Sequence, residues 1–173
     1  MKLASYHGIR DGVMGWGNRL IMWRLRGLYS HTEVMFEPGD GVDEFMPDGT
    51  CQPDADGAYW FVSSVGLERM PAWSKRRPGR LGGLRFKRVV PSEAKWTLTP
   101  TASDPRVAAE MARDNEGSLY DWQLILSTVA WIIPEQRSRG LCAEWAARLL
   151  GVPAEDAWRF DPCNIIAALK GLK

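Results

Sequence analysis

Histidine and cysteine are scarce in this chain. There are two His (His7, His31) and three Cys (Cys51, Cys142, Cys163). Three widely and irregularly spaced cysteines make a poor disulfide framework and leave one over. No CxxC or HxxxH pair is present, which argues against a structural zinc site. Any thiol chemistry must therefore use residues that can be named. Long apolar runs are also missing. The longest, residues 124–133, is half of the roughly 20 residues a bilayer span needs. Near the N-terminus Arg10, Arg19, Arg24 and Arg26 interrupt the apolar residues, so no secretory signal is visible. The expectation is a soluble, cytoplasmic protein with reduced thiols and no transmembrane segment, with virion association or signal-less export as the alternative. Excess charge of one sign is absent too. Lys plus Arg is 22 against 21 acids, a net charge of +1. That excludes a polycation that coats nucleic acid, and no nucleic-acid partner is expected. There is no internal repeat, and the glycine clusters (Gly12, Gly15, Gly17; Gly79, Gly82, Gly83) match neither a phosphate loop nor a dinucleotide fingerprint.

What is present fits one folded domain spanning residues 1–173, with 45% hydrophobic residues and nine Trp to fill a core. Apolar residues at Trp16, Leu20, Met22, Trp23, Leu25 and Leu28 predict a short amphipathic helix ending at Gly27. Strands are predicted at 29–36, 58–67 and 81–90, with a Gly-, Pro- and Asp-rich loop at 37–57. Helices are predicted at 104–116, 120–133, 142–150 and 163–171, with Asp104-Pro105 and Asp161-Pro162 as starts. Strands followed by helices argue for an α+β fold. Charge is segregated locally. Residues 37–56 hold seven acids and no base, and residues 75–88 hold seven bases and no acid. These read first as solvated loops that face each other. Asp54-Ala-Asp56-Gly57 shares a fragment of a calcium loop but lacks its regular ligands and closing Glu.

A cysteine nucleophile needs a stabilised thiolate, a base within reach and donors for the developing oxyanion. Cys142 follows Arg139-Gly140-Leu141 and opens a helix that stops at Gly151 and Pro153. At such a position free N–H groups and the helix dipole lower a thiol pKa. The structural alternative is a buried cysteine opening a core helix. His31 heads a strand on which His31, Glu33 and Met35 share one face and Thr32, Val34 and Phe36 the other. The plain alternative there is an edge strand with one polar face.

Taken in order, Ser30-His31-Thr32-Glu33-Val34, then the stretch from Phe61 to Leu67, then Leu141-Cys142-Ala-Glu144-Trp145 resemble the circularly permuted papain-fold hydrolases. This is the NlpC-like branch with YiiX-like amidases, lecithin:retinol acyltransferase relatives and many phage proteins. In that group the His strand comes first and the Cys helix last, as here. The resemblance runs from about Trp16 to about Leu169. It includes Gly117-Ser-Leu-Tyr120-Asp-Trp122 before the Cys helix and Phe160-Asp-Pro162 after it. It implies a small antiparallel sheet packed on a helix bundle with the Cys at a helix N-terminus. It implies Cys142 as nucleophile and His31 as general base, with no metal or organic cofactor. The family's third residue orients the imidazole from the neighbouring strand, which makes Ser63 the first candidate and Glu33 the second. Glu144 and Trp145 are candidate substrate-binding residues, although Glu144 also forms an i,i+4 pair with Arg148. Cys51 and Cys163 match no motif and read as structural. The implied activity is that of a cysteine peptidase or amidase acting on a peptide or amide. Alternatives are a lipid acyltransferase or thioesterase, and a non-enzymatic interaction protein that keeps the fold.

Overall fold

The computed structural model describes residues 1–119 and 142–171. The fold is α+β. Five strands, β1 (Lys2–Tyr6), β2 (His31–Met35), β3 (Tyr59–Arg69), β4 (Leu81–Val89) and β5 (Trp96–Pro100), form one antiparallel sheet in the order β4-β3-β2-β1-β5. The helices are α1 (Gly12–Leu25), α2 (Pro105–Asp114), α3 (Cys142–Leu149), α4 (Ala154–Ala157) and α5 (Asn164–Gly171). The helix predicted at 120–133 lies outside the described residues.

Side chains alternate across the sheet, and this alternation sets up two cores. One face carries Leu3, Val34, Val62, Leu84 and Phe86, which pack with α2, α3, α4 and α5. The helices meet this face through small residues, Ala108, Ala109 and Ala112 on α2 and Ala146 and Ala147 on α3. Alanine lets the helix backbones come close to the sheet at little entropic cost. The other face carries Ala4, Tyr6, Met35, Phe61 and Trp96. Tyr6 and Phe61 both lie against the Trp96 ring, at centroid distances of 4.9 and 5.4 Å. β2 is the middle strand, so both of its faces are covered.

The predicted strands and helices in the described residues appear with small shifts at their ends, and Asp104 caps α2 by accepting from the Arg106 N–H at 2.8 Å. Four short elements, β1, β5, α4 and a 3-10 turn at Asp43–Phe45, have no counterpart in the sequence-based expectation. The first helix differs more. It starts at Gly12 and ends at Leu25, and Arg26, not Gly27, takes the left-handed conformation, with φ 48°. Gly27 has a different task. A Cβ there would stand 2.1 Å from Cys163 Sγ, so glycine is what lets the α5 region close on the end of α1.

The acidic stretch is largely exposed, as predicted, but several of its acids are also tied into the fold. Asp43 accepts from the Cys51 N–H at 2.6 Å, and Asp54 from the Asp56 and Ala58 N–H groups at 3.0 and 2.9 Å. These acids hold the loop's own backbone together. Arg88 of the basic stretch reaches the loop, pairing with Asp48 at 2.6 Å over the Trp60 ring.

β4 begins with an irregularity. Val65 pairs with Gly83, but the next pair is Arg69 with Leu81. Gly82 sits in the bulge at φ 69°, and a Cβ there would lie 2.8 Å from the Gly66 carbonyl oxygen. Gly82→Ala is expected to destabilise the chain by about 1–3 kcal/mol, the usual cost of a forced left-handed residue. A urea titration checks this through a lowered midpoint at unchanged slope.

Candidate active site

α3 packs against β2 and β3, and Cys142 is the first residue of α3 as described. This brings the thiol to the start of β2. There the Cys142 side chain is hydrogen bonded to His31, and its sulfur accepts from the Thr32 and Ala143 backbone N–H groups. Cys142 is 8% exposed. The His31 Nε2–H donates to Glu33 Oε1 at 2.8 Å. An imidazole has two nitrogens, so Nδ1 is left for the thiol. Glu33 is fully buried, and the Lys87 ammonium also donates to its Oε1, at 2.7 Å. Among the described residues Glu33 Oε2 has no hydrogen-bond partner. The result is a row of four groups: Lys87, Glu33, His31 and Cys142.

The electrostatics follow from this row. Burial pushes the His31 pKa down, but Cys142 and Glu33 together outweigh it and raise it to about 9. Burial would push the Cys142 thiol up. The His31 charge, its hydrogen bond and the Thr32 and Ala143 N–H groups prevail and pull it below an ordinary thiol. Burial would likewise raise Glu33, yet Lys87 and His31 hold it down at about 2. The other two thiols behave in the opposite way. Burial, joined by Asp43 and Asp40, pushes Cys51 up to about 12. Burial also raises Cys163, whose S–H donates to the Tyr29 carbonyl oxygen at 3.6 Å. Cys142 is the one thiol of the three in an activating environment.

Of the residues singled out in the sequence, Cys142, His31 and Glu33 come together. Glu33, not Ser63, holds the imidazole. Ser63 is on β3, buried, and its Oγ has no hydrogen-bond partner among the described residues. A serine hydroxyl is short and neutral, whereas Glu33 lies on the His31 face of the same strand and carries a charge. Glu144 is buried and ion-paired with Arg148 on its own helix, and the Arg148 guanidinium lies 5.0 Å from the Trp145 ring. Trp145 belongs to the helix-side core. His7 is set apart. It lines a surface cavity of about 290 Å³ with Met22, Leu28, Tyr29 and Thr97, its ring edge-on to Tyr29.

Lys87 was missed as a site residue because it sits in a run of bases. The strand register was the available signal. Val34 pairs with Val62 and Val62 with Phe86, while Met35 pairs with Phe61 and Phe61 with Lys87. That puts Lys87 on the same face as Met35 and Glu33, so a long side chain can cross β3 diagonally to the carboxylate.

Among the described residues no cluster of three His, Cys, Asp or Glu side chains could hold a metal ion, and no helix is long and apolar enough to cross a membrane. Compared with protein-family models, curated proteins and solved structures, the chain gives no match.

Glu33 also ties the site to acid stability. Its folded pKa, about 2, lies below its ordinary value of 4.5. The stability it contributes is therefore fully present above 4.5 and is lost as pH falls toward 2. Urea stability measured across this range should fall less steeply for Glu33→Gln than for the wild-type chain. Equal slopes in the two proteins would show that Glu33 is not held as a buried anion.

Proposed function

We propose that the chain is a thiol hydrolase of the circularly permuted papain type that cleaves an amide or peptide bond. One observation carries the reading: of three cysteines, only Cys142 is hydrogen bonded to a histidine, and that histidine is held from its far side by a buried carboxylate. The arrangement has the three parts of an activated nucleophile: thiol, base and orienting group.

The chemistry then runs in two halves. His31 takes the Cys142 proton, giving a thiolate and an imidazolium. The thiolate adds to the substrate carbonyl carbon, and the backbone N–H at Cys142 donates to the resulting oxyanion. His31 returns its proton to the leaving nitrogen as the carbon–nitrogen bond breaks, which leaves an acyl thioester on Cys142. Water, deprotonated by His31, attacks the thioester, and the released sulfur recovers the proton. Glu33 keeps the ring in one orientation and stabilises the imidazolium of both halves. A positioned acid–base group contributes about 10²- to 10⁴-fold in rate.

On a lipid thioester the same steps give a thioesterase, and with an alcohol or amine replacing water in the second half they give an acyltransferase; one observation favours this second reading. Trp16, Leu20 and Trp23, at i, i+4 and i+7 of α1, lie on its exposed side, with Trp16 76% and Trp23 74% exposed. Apolar stripes of this kind suit a lipid substrate surface better than water.

The test is alkylation by iodoacetamide, read at each cysteine by mass spectrometry. Cys142 is expected to label faster than Cys51 and Cys163 at about pH 6–7, where an ordinary thiol is largely protonated. Cys142→Ala and His31→Ala are expected to abolish turnover of any amide or ester substrate found for the wild type. Uniform slow labelling of all three thiols would contradict the proposal and favour a non-enzymatic role for the fold.

A further inference from the structure

We propose that Lys87 is a positioning residue of this site, the buried counter-charge that holds Glu33 in place as the anion orienting His31 against Cys142. The inference rests on the thiol-hydrolase reading and goes beyond it, since nothing in a Cys-His pair requires a lysine two strands away.

The geometry is specific. Lys87 Nζ is 2.7 Å from Glu33 Oε1, the same oxygen that accepts from His31 Nε2 at 2.8 Å. The Lys87 side chain is 16% exposed and that of Glu33 0%. Lys87 lies on the aromatic face of the sheet, with its ammonium 6.0 Å from the Trp96 ring centre. An exposed Lys–Glu pair contributes little, but a carboxylate with no access to water needs a partner or takes up a proton.

Charge counting gives the consequence. In the reactive form the row reads Lys87 positive, Glu33 negative, His31 positive and Cys142 negative, which sums to zero. Without Lys87 the row carries one net negative charge, or else Glu33 takes a proton and the imidazolium loses its carboxylate. Either way the Cys142 thiolate becomes harder to form. The charged groups around the row are Arg10, Arg85 and Glu68. Glu68 is paired with both arginines, and Arg10 and Lys87 also act on the carboxylates through space. Arg10 is 32% exposed and its guanidinium is engaged by Glu68 at 2.5 Å. Lys87 is the cation in contact with Glu33 from β4, as His31 is from β2.

The experiment is the pH profile of Cys142 alkylation in three chains: wild type, Lys87→Met, and the double variant Glu33→Gln with Lys87→Met. Methionine keeps the apolar stem, so a packing role for Lys87 predicts no change in the profile. The positioning role predicts a midpoint raised by about one unit in Lys87→Met, hence about tenfold slower labelling below neutral pH, with the alkaline plateau retained. The double variant also lacks the orienting anion, so its midpoint stays raised with little further shift beyond Lys87→Met, as expected if the lysine acts through Glu33. A Lys87→Met chain that unfolds while the double variant folds supports the same conclusion, because only the unpaired Glu33 distinguishes them. If the wild type shows a lowered midpoint and Lys87→Met superposes on it, the lysine proposal falls and the hydrolase reading stands. If wild-type Cys142 itself labels as an ordinary thiol, both fall.

Discussion

The carboxylate of Glu33, wholly out of water, is the constraint on which this structure turns. Moving a charge of that size into a protein interior costs several kcal/mol unless partners replace the lost hydration. Two donors meet it, from His31 on its own strand and from Lys87 two strands away. The pairing has strict geometric requirements. A one-residue slip of β4 against β3 would turn Lys87 to the helix side, and the same slip of β2 would exchange Glu33 for Thr32 or Val34. The register of the sheet and the ionisation of one carboxylate therefore support each other.

The histidine inherits its properties from that pairing. With Glu33 fixed on Nε2, the ring has a single orientation and faces the start of α3. The helix reaches that point because Ala146 and Ala147 allow close packing against β2. The contrast among the thiols shows how local the effect is. Cys51 lies in a loop of aspartates, which oppose a thiolate, and Cys163 fills the space that Gly27 leaves beside α1. Arg88 favours a Cys51 thiolate through space, but burial and the aspartates outweigh it.

Much of this was legible in the sequence, for identifiable reasons. The period-two pattern of Tyr29–Phe36 already put His31 and Glu33 on one face, and Gly151 with Pro153 marked the end of the helix that Cys142 opens. Local patterns of this sort survive folding because they are the burial pattern itself. The parts that were not legible depend on contacts distant in sequence. β1 is buried on both faces, so Lys2-Leu-Ala-Ser-Tyr6 shows no alternation, and Ala and Ser are weak strand formers. β5 is a five-residue edge strand that ends in proline. Lys87 looked like one more base in a solvated run, because only the β3–β4 register brings it to Glu33. The choice between Ser63 and Glu33 as the orienting group was open for the same reason, since a strand's pattern gives its faces but not which neighbour reaches across. Net charge misled most. It averaged an acidic loop that caps its own backbone with a basic run whose Arg85, Lys87 and Arg88 are all paired.

The central claim is that Cys142 and His31 exist as a thiolate–imidazolium pair near neutral pH. The most direct measurement is the ultraviolet absorbance of the thiolate as a function of pH, taken as the difference between wild type and Cys142→Ala. The account predicts thiolate absorbance already present below about pH 7, and its loss on acidification when His31 is replaced by Ala. A single rise with a midpoint at about 8.5–9, as for a free thiol, and unchanged by His31→Ala, would contradict it.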